Sequence, residues 1–141
     1  MLIPIIHSRR VLGHRYKQEL DELTRPAEYR IGGFPLVVPR GFRTNGASVP
    51  WLLRWFLHPK GWVYEAALLH DYCVERRLGY WWSQWVFWQV MAYTILESHA
   101  AWPWLTPIKR AWLFAKAVLV LVYTSAFMWV NYYRINPFVF K

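Results

Sequence analysis

Short apolar runs in the first forty positions have the length of β-strands. They are LIPII near the N-terminus, then EYRI, then FPLVV. The Gly32-Gly33 pair between the last two runs predicts a β-hairpin, because tight two-residue turns need the positive φ angles that glycine adopts readily. Pro35 inside the third run predicts an edge strand. The polar stretch from residue 15 to residue 29 is compatible with a short helix or a loop.

Two helices are predicted in the middle of the chain. Pro50 suits the first turn of a helix and Ser48 can cap its N–H groups, so PWLLRWFL is predicted to be a short helix. The next stretch, WVYEAALLHDYCVERRLG, predicts a helix of about four turns with Gly79 as its C-cap.

Two long runs with almost no charge follow Gly79. Residues 78–96 hold no charged residue, and residues 111–130 hold only Lys116. At about 1.5 Å per residue the second run reaches roughly the 30 Å of a hydrocarbon core. Either both runs are buried helices of a compact domain or oligomer, or they form a membrane hairpin or one span plus an interfacial helix. The residues expected to face lipid or a partner are Trp81, Trp82, Trp85, Trp88, Lys116 and Trp129.

The order of these patterns predicts an α+β protein. Short N-terminal strands, including the hairpin, precede a mostly helical region that ends in two long, apolar, aromatic-rich helices. We expect one region at residues 1–78, which holds the TNGAS turn and the His-Asp helix. The second region, residues 79–141, is the candidate for membrane association or subunit docking.

Charge and composition narrow the choice of partner. The chain has 17 Lys and Arg against 8 Asp and Glu, and beyond Glu97 every charge is positive. Such a surface favours phospholipid headgroups or nucleic acid. The 11 tryptophans favour the lipid interface, where an indole ring keeps one edge apolar and the other wet. Nucleic acid is disfavoured because the cations are scattered and no recognised binding module is present.

Cysteine content and the N-terminus bear on the compartment. Cys73 is the single cysteine, so the fold does not depend on an internal disulfide or an oxidising compartment. The N-terminal sequence MLIPIIHSRR lacks the basic region and the long apolar run of a signal peptide. We therefore expect the protein to have no signal peptide and to be located in the cytoplasm or at the inner membrane.

His70 and Asp71 are the candidate chemical pair. On a helix, His70 has small or apolar neighbours one turn away and points toward the core, while Asp71 points about 100° away. A Ser-His-Asp triad is therefore excluded, because its carboxylate must bond the imidazole directly. One interpretation makes His70 a general base and Asp71 a ligand of a hard cation, together with carbonyls near Asn45 and Gly46. The favoured interpretation is structural, with His70 in the core and Asp71 bonded to the turn at residues 44–48.

One region of the sequence resembles a known family. VPRGFRTNGASVP followed by ALLHDYCVERR is similar to the signature of a small domain-of-unknown-function family of phages and prophages, V-P-x-G-F-x-T-D-x-A-S-V-P and then A-x-x-H-D-x-L-Y. The similarity covers residues 38 to about 87 and includes Thr44, Ser48 and Pro50. Two carboxylates of the family pattern are replaced. Asn45 stands at the acid of T-D, and Gln84 stands at the acid of a later A-D-x-x-F motif that aligns on Gln84 and Phe87.

A more distant similarity is to the small calcium-dependent phospholipases. It implies His70 as the base, Asp71 with carbonyls near Asn45 and Gly46 as a calcium site, and Gln84 at the position that orients the histidine. A glutamine cannot stabilise an imidazolium as a carboxylate does. The similarity thus implies a scaffold with reduced or lost catalysis.

These observations give two expectations for function. The first is a phage or prophage structural or accessory protein, located in the virion or at the host inner membrane or in the cytoplasm. It docks to the membrane, to other virion subunits or to copies of itself through its aromatic helices. The alternative is a calcium-assisted hydrolase of lipid or envelope esters that uses His70 and Asp71. In both cases we expect His70 or Asp71 to contact residues 44–48, where Gly46 needs a positive φ.

Overall fold

The computed structural model describes residue 3 and residues 5–12, 19–44 and 62–133. The helix predicted at PWLLRWFL, with Ser48 and Pro50, and the turn at Asn45 and Gly46 lie outside these residues. The chain forms two compact units, Met1–Tyr72 and Cys73–Lys141. Antiparallel strands come first and helices follow, so the α+β class is confirmed.

The first unit contains a three-stranded antiparallel sheet in the order β1-β2-β5. Its strands are β1 at Ser8–Leu12, β2 at Glu19–Leu23 and β5 at Arg43–Thr44. The expectation of a strand at LIPII was wrong, because residues 5–7 belong to neither helix nor strand and the strand begins at Ser8. The polar stretch ELDEL is also a strand, and neither the helix nor the loop considered for it.

Cross-strand ion pairs explain why so acidic a segment forms the central strand. Glu22 lies opposite Arg9 on one side and opposite Arg43 on the other. Its carboxylate accepts from Arg9 at 2.7 Å and from Arg43 at 2.8 Å. The hydrogen bond from Arg9, and then that from Arg43, hold the pKa of Glu22 below its ordinary value. Opposite charges on facing residues stabilise a sheet, which a search for apolar alternation does not detect.

A separate two-stranded hairpin follows, as predicted from the Gly-Gly pair. Strand β3 is Ala27–Ile31 and strand β4 is Phe34–Val38. The turn residues Gly32 and Gly33 have φ angles of 55° and 84°, the left-handed region that favours glycine. Among the residues that the structure describes, this sheet has two strands, so Pro35 lies on an edge, as expected. Alternate residues of β3 are buried: Ala27, Tyr29 and Ile31.

Helix α1, Tyr64–Glu75, ends before the predicted cap. The N–H of Arg77 donates to the carbonyl of Val74 at 2.9 Å, and the N–H of Leu78 donates to that of Cys73 at 3.0 Å. This pair of bonds is a Schellman motif, whose left-handed residue is usually glycine. Here it is Arg77, with φ 53°, so the prediction of Gly79 as C-cap was wrong. Gly79 instead precedes the next helix as its N-cap.

The second unit is built on a pair of long helices. Helix α2 is Tyr80–Glu97 and helix α3 is Thr106–Tyr133, with one 3₁₀ turn at Pro103–Leu105 between them. Buried residues of α2 recur every three or four positions, including Phe87, Val90 and Met91, as expected for a helix that packs on one face. In the part of the chain that the structure describes, no helix combines the length and apolar composition of a membrane span.

The left-handed residue of the α1 C-terminus offers a test of this helix end. We expect Arg77→Gly to raise the free energy of unfolding by about 0.5–1 kcal/mol, since glycine removes the steric cost of positive φ but adds unfolded-state entropy. Arg76→Gly is the control, because Arg76 has a negative φ and should lose stability. Urea denaturation of the two variants measures both changes. Equal destabilisation by both would contradict the assigned helix end.

Candidate functional site

The candidate site lies where strand β5 meets helix α1. Thr44 is the last residue of β5, pairs with Asp21 of β2 and is 3% exposed. Its hydroxyl donates to Asp71 Oδ2 at 2.6 Å. The expected contact between the TNGAS and His-Asp motifs is therefore present at Thr44. The donor is a threonine side chain, whereas the sequence argument expected backbone N–H groups of the turn.

His70 and Asp71 differ in exposure. His70 is 5% exposed, while the Asp71 side chain is 36% exposed. His70 Nδ1 lies 3.9 Å from Asp71 Oδ1. This distance is too long for a hydrogen bond. Asp71 therefore does not hold the imidazole in the way a triad carboxylate does.

Two further contacts of α1 accompany the Thr44–Asp71 bond, and the sequence reasoning missed them. The Tyr64 hydroxyl donates to Asp21 Oδ2 at 3.2 Å, and the Tyr72 ring meets Phe42 edge-on at a centroid distance of 5.5 Å. Desolvation by burial is the main cause that raises the pKa of Tyr64 to about 12, so its phenol stays protonated. Because Tyr64 and Asp71 are seven positions apart, they lie on one helix face. This seven-residue spacing in the sequence could have indicated that Tyr64 and Asp71 contact the same part of the first unit.

The described residues of the first unit also form a small open cleft. Ser8, Arg10, Asp21 and Tyr64 line it, and His70 is not among these lining residues. The cleft thus lies at the Tyr64 end of the contact between β2 and α1.

The predicted calcium ligands are described only in part. Asp71 supplies one half-exposed carboxylate, and Asn45 and Gly46 lie outside the described residues, as do Ser48 and Pro50 of the motif. Within the described ranges, no three His, Cys, Asp or Glu side chains group as metal ligands. Asp71 would be the anionic ligand of a calcium ion here, and its Oδ2 already accepts the Thr44 hydroxyl.

Gln84, the predicted orienting position, belongs to the second unit. It is buried, and its Oε1 accepts a hydrogen bond from the Ser125 hydroxyl at 3.2 Å. Tyr80, one turn earlier on α2, donates to the Ser125 carbonyl at 2.9 Å. Gln84 thus takes part in the polar contact that joins α2 to α3.

The predicted docking residues differ in exposure. Trp81 is 72% exposed and Trp129 is 51% exposed, and their rings lie 6.5 Å apart. Trp82 stacks on Trp85 at 5.0 Å, and Trp88 contacts Phe114 at 6.2 Å. The Lys116 ammonium lies 5.1 Å from the centre of the Trp112 ring. The sequence reasoning missed the exposed residues Trp102, Trp104, Ile108 and Trp112, most of which lie between the two long runs.

Comparison with known proteins identifies a family that includes this sequence. The sequence profile of the family described as "Protein of unknown function (DUF1353)" matches residues 22–105, more than half of the chain. The match runs from β2 to the 3₁₀ turn and includes both motifs. Neither the search of curated proteins nor that of solved structures found a significant match.

The Thr44–Asp71 bond can be removed with little change in shape. We expect Thr44→Val to lower the free energy of unfolding by about 1–2 kcal/mol, because a charged acceptor loses its donor while the side-chain volume stays the same. Thr44→Ser keeps the hydroxyl and should retain most of the stability. Urea denaturation measures the free energy of unfolding of both variants. Equal losses in the two would show that the Thr44 hydroxyl does not stabilise the protein.

Proposed function

The chain belongs to the family described as a protein of unknown function (DUF1353), and we propose that this member is a non-catalytic docking protein of a phage or prophage. In this proposal the first unit is a scaffold. The second unit presents aromatic helices to the host membrane or to other virion subunits. Support for a phage origin comes from the resemblance of residues 38–87 to the phage and prophage signature.

The observation that carries the docking proposal is the exposure of large apolar side chains in the second unit. Soluble monomers rarely leave large apolar patches in water, and such patches mark interaction sites. Tryptophan is also enriched at protein interfaces and at membrane surfaces. The residues concerned are Trp81, Trp102, Trp104, Ile108, Trp112, Leu119, Val122 and Trp129.

The described part of the His-Asp motif supports a structural role over a catalytic one. His70 is buried, whereas a general base needs access to the water or substrate whose proton it takes. Asp71 Oδ2 accepts the Thr44 hydroxyl, which joins a strand to a helix. Gln84 carries an amide where the resembled signature has an acid, and it bonds to Ser125. Each of these contacts stabilises the fold.

The alternative is a calcium-assisted ester hydrolase, and the exposure of the Asp71 side chain is the observation that favours it. Asp71 with carbonyls near Asn45 and Gly46 would hold the ion, which would polarise an ester carbonyl. His70 would accept a proton from water. Calcium binding that Asp71→Asn abolishes, together with ester hydrolysis that His70→Gln abolishes, would replace the docking proposal with this one.

Fractionation of the host cell tests the docking proposal. We expect the tagged protein to sediment with membranes or phage particles, and a variant with Trp81, Trp102, Trp104 and Trp112 all changed to Ser to shift largely to the supernatant. Phe34→Ser is the matched control, because Phe34 is an exposed aromatic of the first unit, and it should sediment like the wild type. Wild-type protein that stays in the supernatant would refute the proposal.

A further inference from the structure

The connection between α2 and α3 carries an exposed apolar patch, which we call the tip patch: Trp102, Trp104, Ile108 and Trp112. These residues are 64%, 69%, 63% and 56% exposed, in that order. Ile108 and Trp112 are four positions apart on α3 and so project from the same face. Trp102 and Trp104 flank Pro103 in the 3₁₀ turn just before it. Three indole rings are thus presented at one end of the helix pair.

Hydrogen bonds hold the loop that presents these rings. The Lys109 ammonium donates to the carbonyl of His99 at 2.6 Å, and Arg110 Nε donates to that of Ser98 at 3.2 Å. The N–H of Ala100 donates to the Thr106 hydroxyl at 3.3 Å. Since the loop is already ordered, binding through its indoles costs little conformational entropy.

The charges around the tip patch are mostly positive. Lys109, Arg110 and Lys116 lie beside it along α3, and Lys116 stacks on the Trp112 ring. Glu97, at the end of α2, is the last acid of the chain. Lys109 and Arg110 donate to neutral carbonyl groups, which do not neutralise their charge. The partner that suits this region is both anionic and able to accept indole rings.

We propose that the tip patch docks into the headgroup region of an anionic lipid bilayer. This inference rests on the proposed docking function and names its partner. The indoles of Trp102, Trp104 and Trp112 enter the boundary between headgroups and acyl chains, where such rings are enriched. Lys109, Arg110 and Lys116 attract the negative headgroups, each contributing modestly at the surface. The protein lies on the membrane through this patch.

The same charges disfavour two other occupants. A second copy of the chain would bring two sets of three cations together across a symmetric interface. Nucleic acid would meet mostly indoles and an isoleucine, with no cation cluster larger than Lys109 and Arg110. Anionic lipid satisfies both the cations and the rings.

Vesicle flotation with the purified full-length chain tests the proposal. The vesicles contain phosphatidylcholine alone or with about one third phosphatidylglycerol. We expect binding to the anionic vesicles at least about tenfold tighter than to the neutral ones, and weaker binding as salt screens the charges. Trp102→Ser with Trp104→Ser should weaken binding by about tenfold or more. Phe34→Ser is the matched control, as an exposed aromatic residue of the first unit, and should bind like the wild type.

Three results would overturn the proposal: no binding to anionic vesicles, equal binding to both vesicle types, or equal losses from the tip variant and the Phe34 control. The comparison of two vesicle types uses wild-type protein, so it does not depend on how the variants fold. If vesicle binding fails while the protein still sediments with particles in its host, docking stands and the lipid partner is wrong. Dimerisation that the tip variant abolishes, without vesicle binding, would identify a second copy as the occupant instead.

Discussion

A single hydrogen bond, from the Thr44 hydroxyl to the Asp71 carboxylate, joins two parts of the first unit that are 27 residues apart in the chain. Strand β5 has only two residues, Arg43 and Thr44, and so short a strand gains little from its own ladder. Anchoring its last residue to α1 keeps β5 beside β2. Arg43 is then in place to pair with Glu22, the acidic residue whose other partner is Arg9 of β1. This bond therefore supports the position of β5 in the three-stranded sheet, together with the Arg43–Glu22 pair and the contact of Phe42 with Tyr72.

Sequence patterns predicted the elements whose signals are local. The Gly32-Gly33 turn, the edge position of Pro35 and the two long helices were all predictable from glycine, proline and apolar runs. The contact between the two motifs also followed, because a carboxylate on a helix next to a polar turn needs donors. At the candidate site, a buried His70 beside a more exposed Asp71 needed only the 100° step of a helix.

The features that could not be predicted depend on partners distant in the chain. ELDEL forms a strand because Arg9 and Arg43 lie on either side of Glu22, and no single segment contains that information. The left-handed residue after α1, Arg77, was missed because a glycine two positions later is the more usual cap. The Tyr64–Asp21 bond required knowledge of which strand α1 packs on. The division of the chain into regions 1–78 and 79–141 stays a prediction. The compact units of the structure are Met1–Tyr72 and Cys73–Lys141.

The two units use their charged and polar residues differently, and this difference supports the separation of scaffold from docking surface. In the first unit Glu22 bonds to two arginines and Asp71 bonds to Thr44, so these acids stabilise the fold. In the second unit Gln84 bonds to Ser125 without a charge. An uncharged amide is cheaper to bury than a carboxylate. Every charged side chain beyond Glu97 is a cation, and in the docking proposal Lys109, Arg110 and Lys116 attract an anionic surface.

A double-mutant cycle on Thr44 and Asp71 tests most directly whether the two motifs form one structural unit. The free energies of unfolding of Thr44→Val, Asp71→Ala and the double variant are compared with that of the wild type in urea. The account predicts a coupling energy of about 1 kcal/mol or more, because the second substitution removes a partner that the first has already disabled. Additive losses, with no coupling between the two positions, would contradict it.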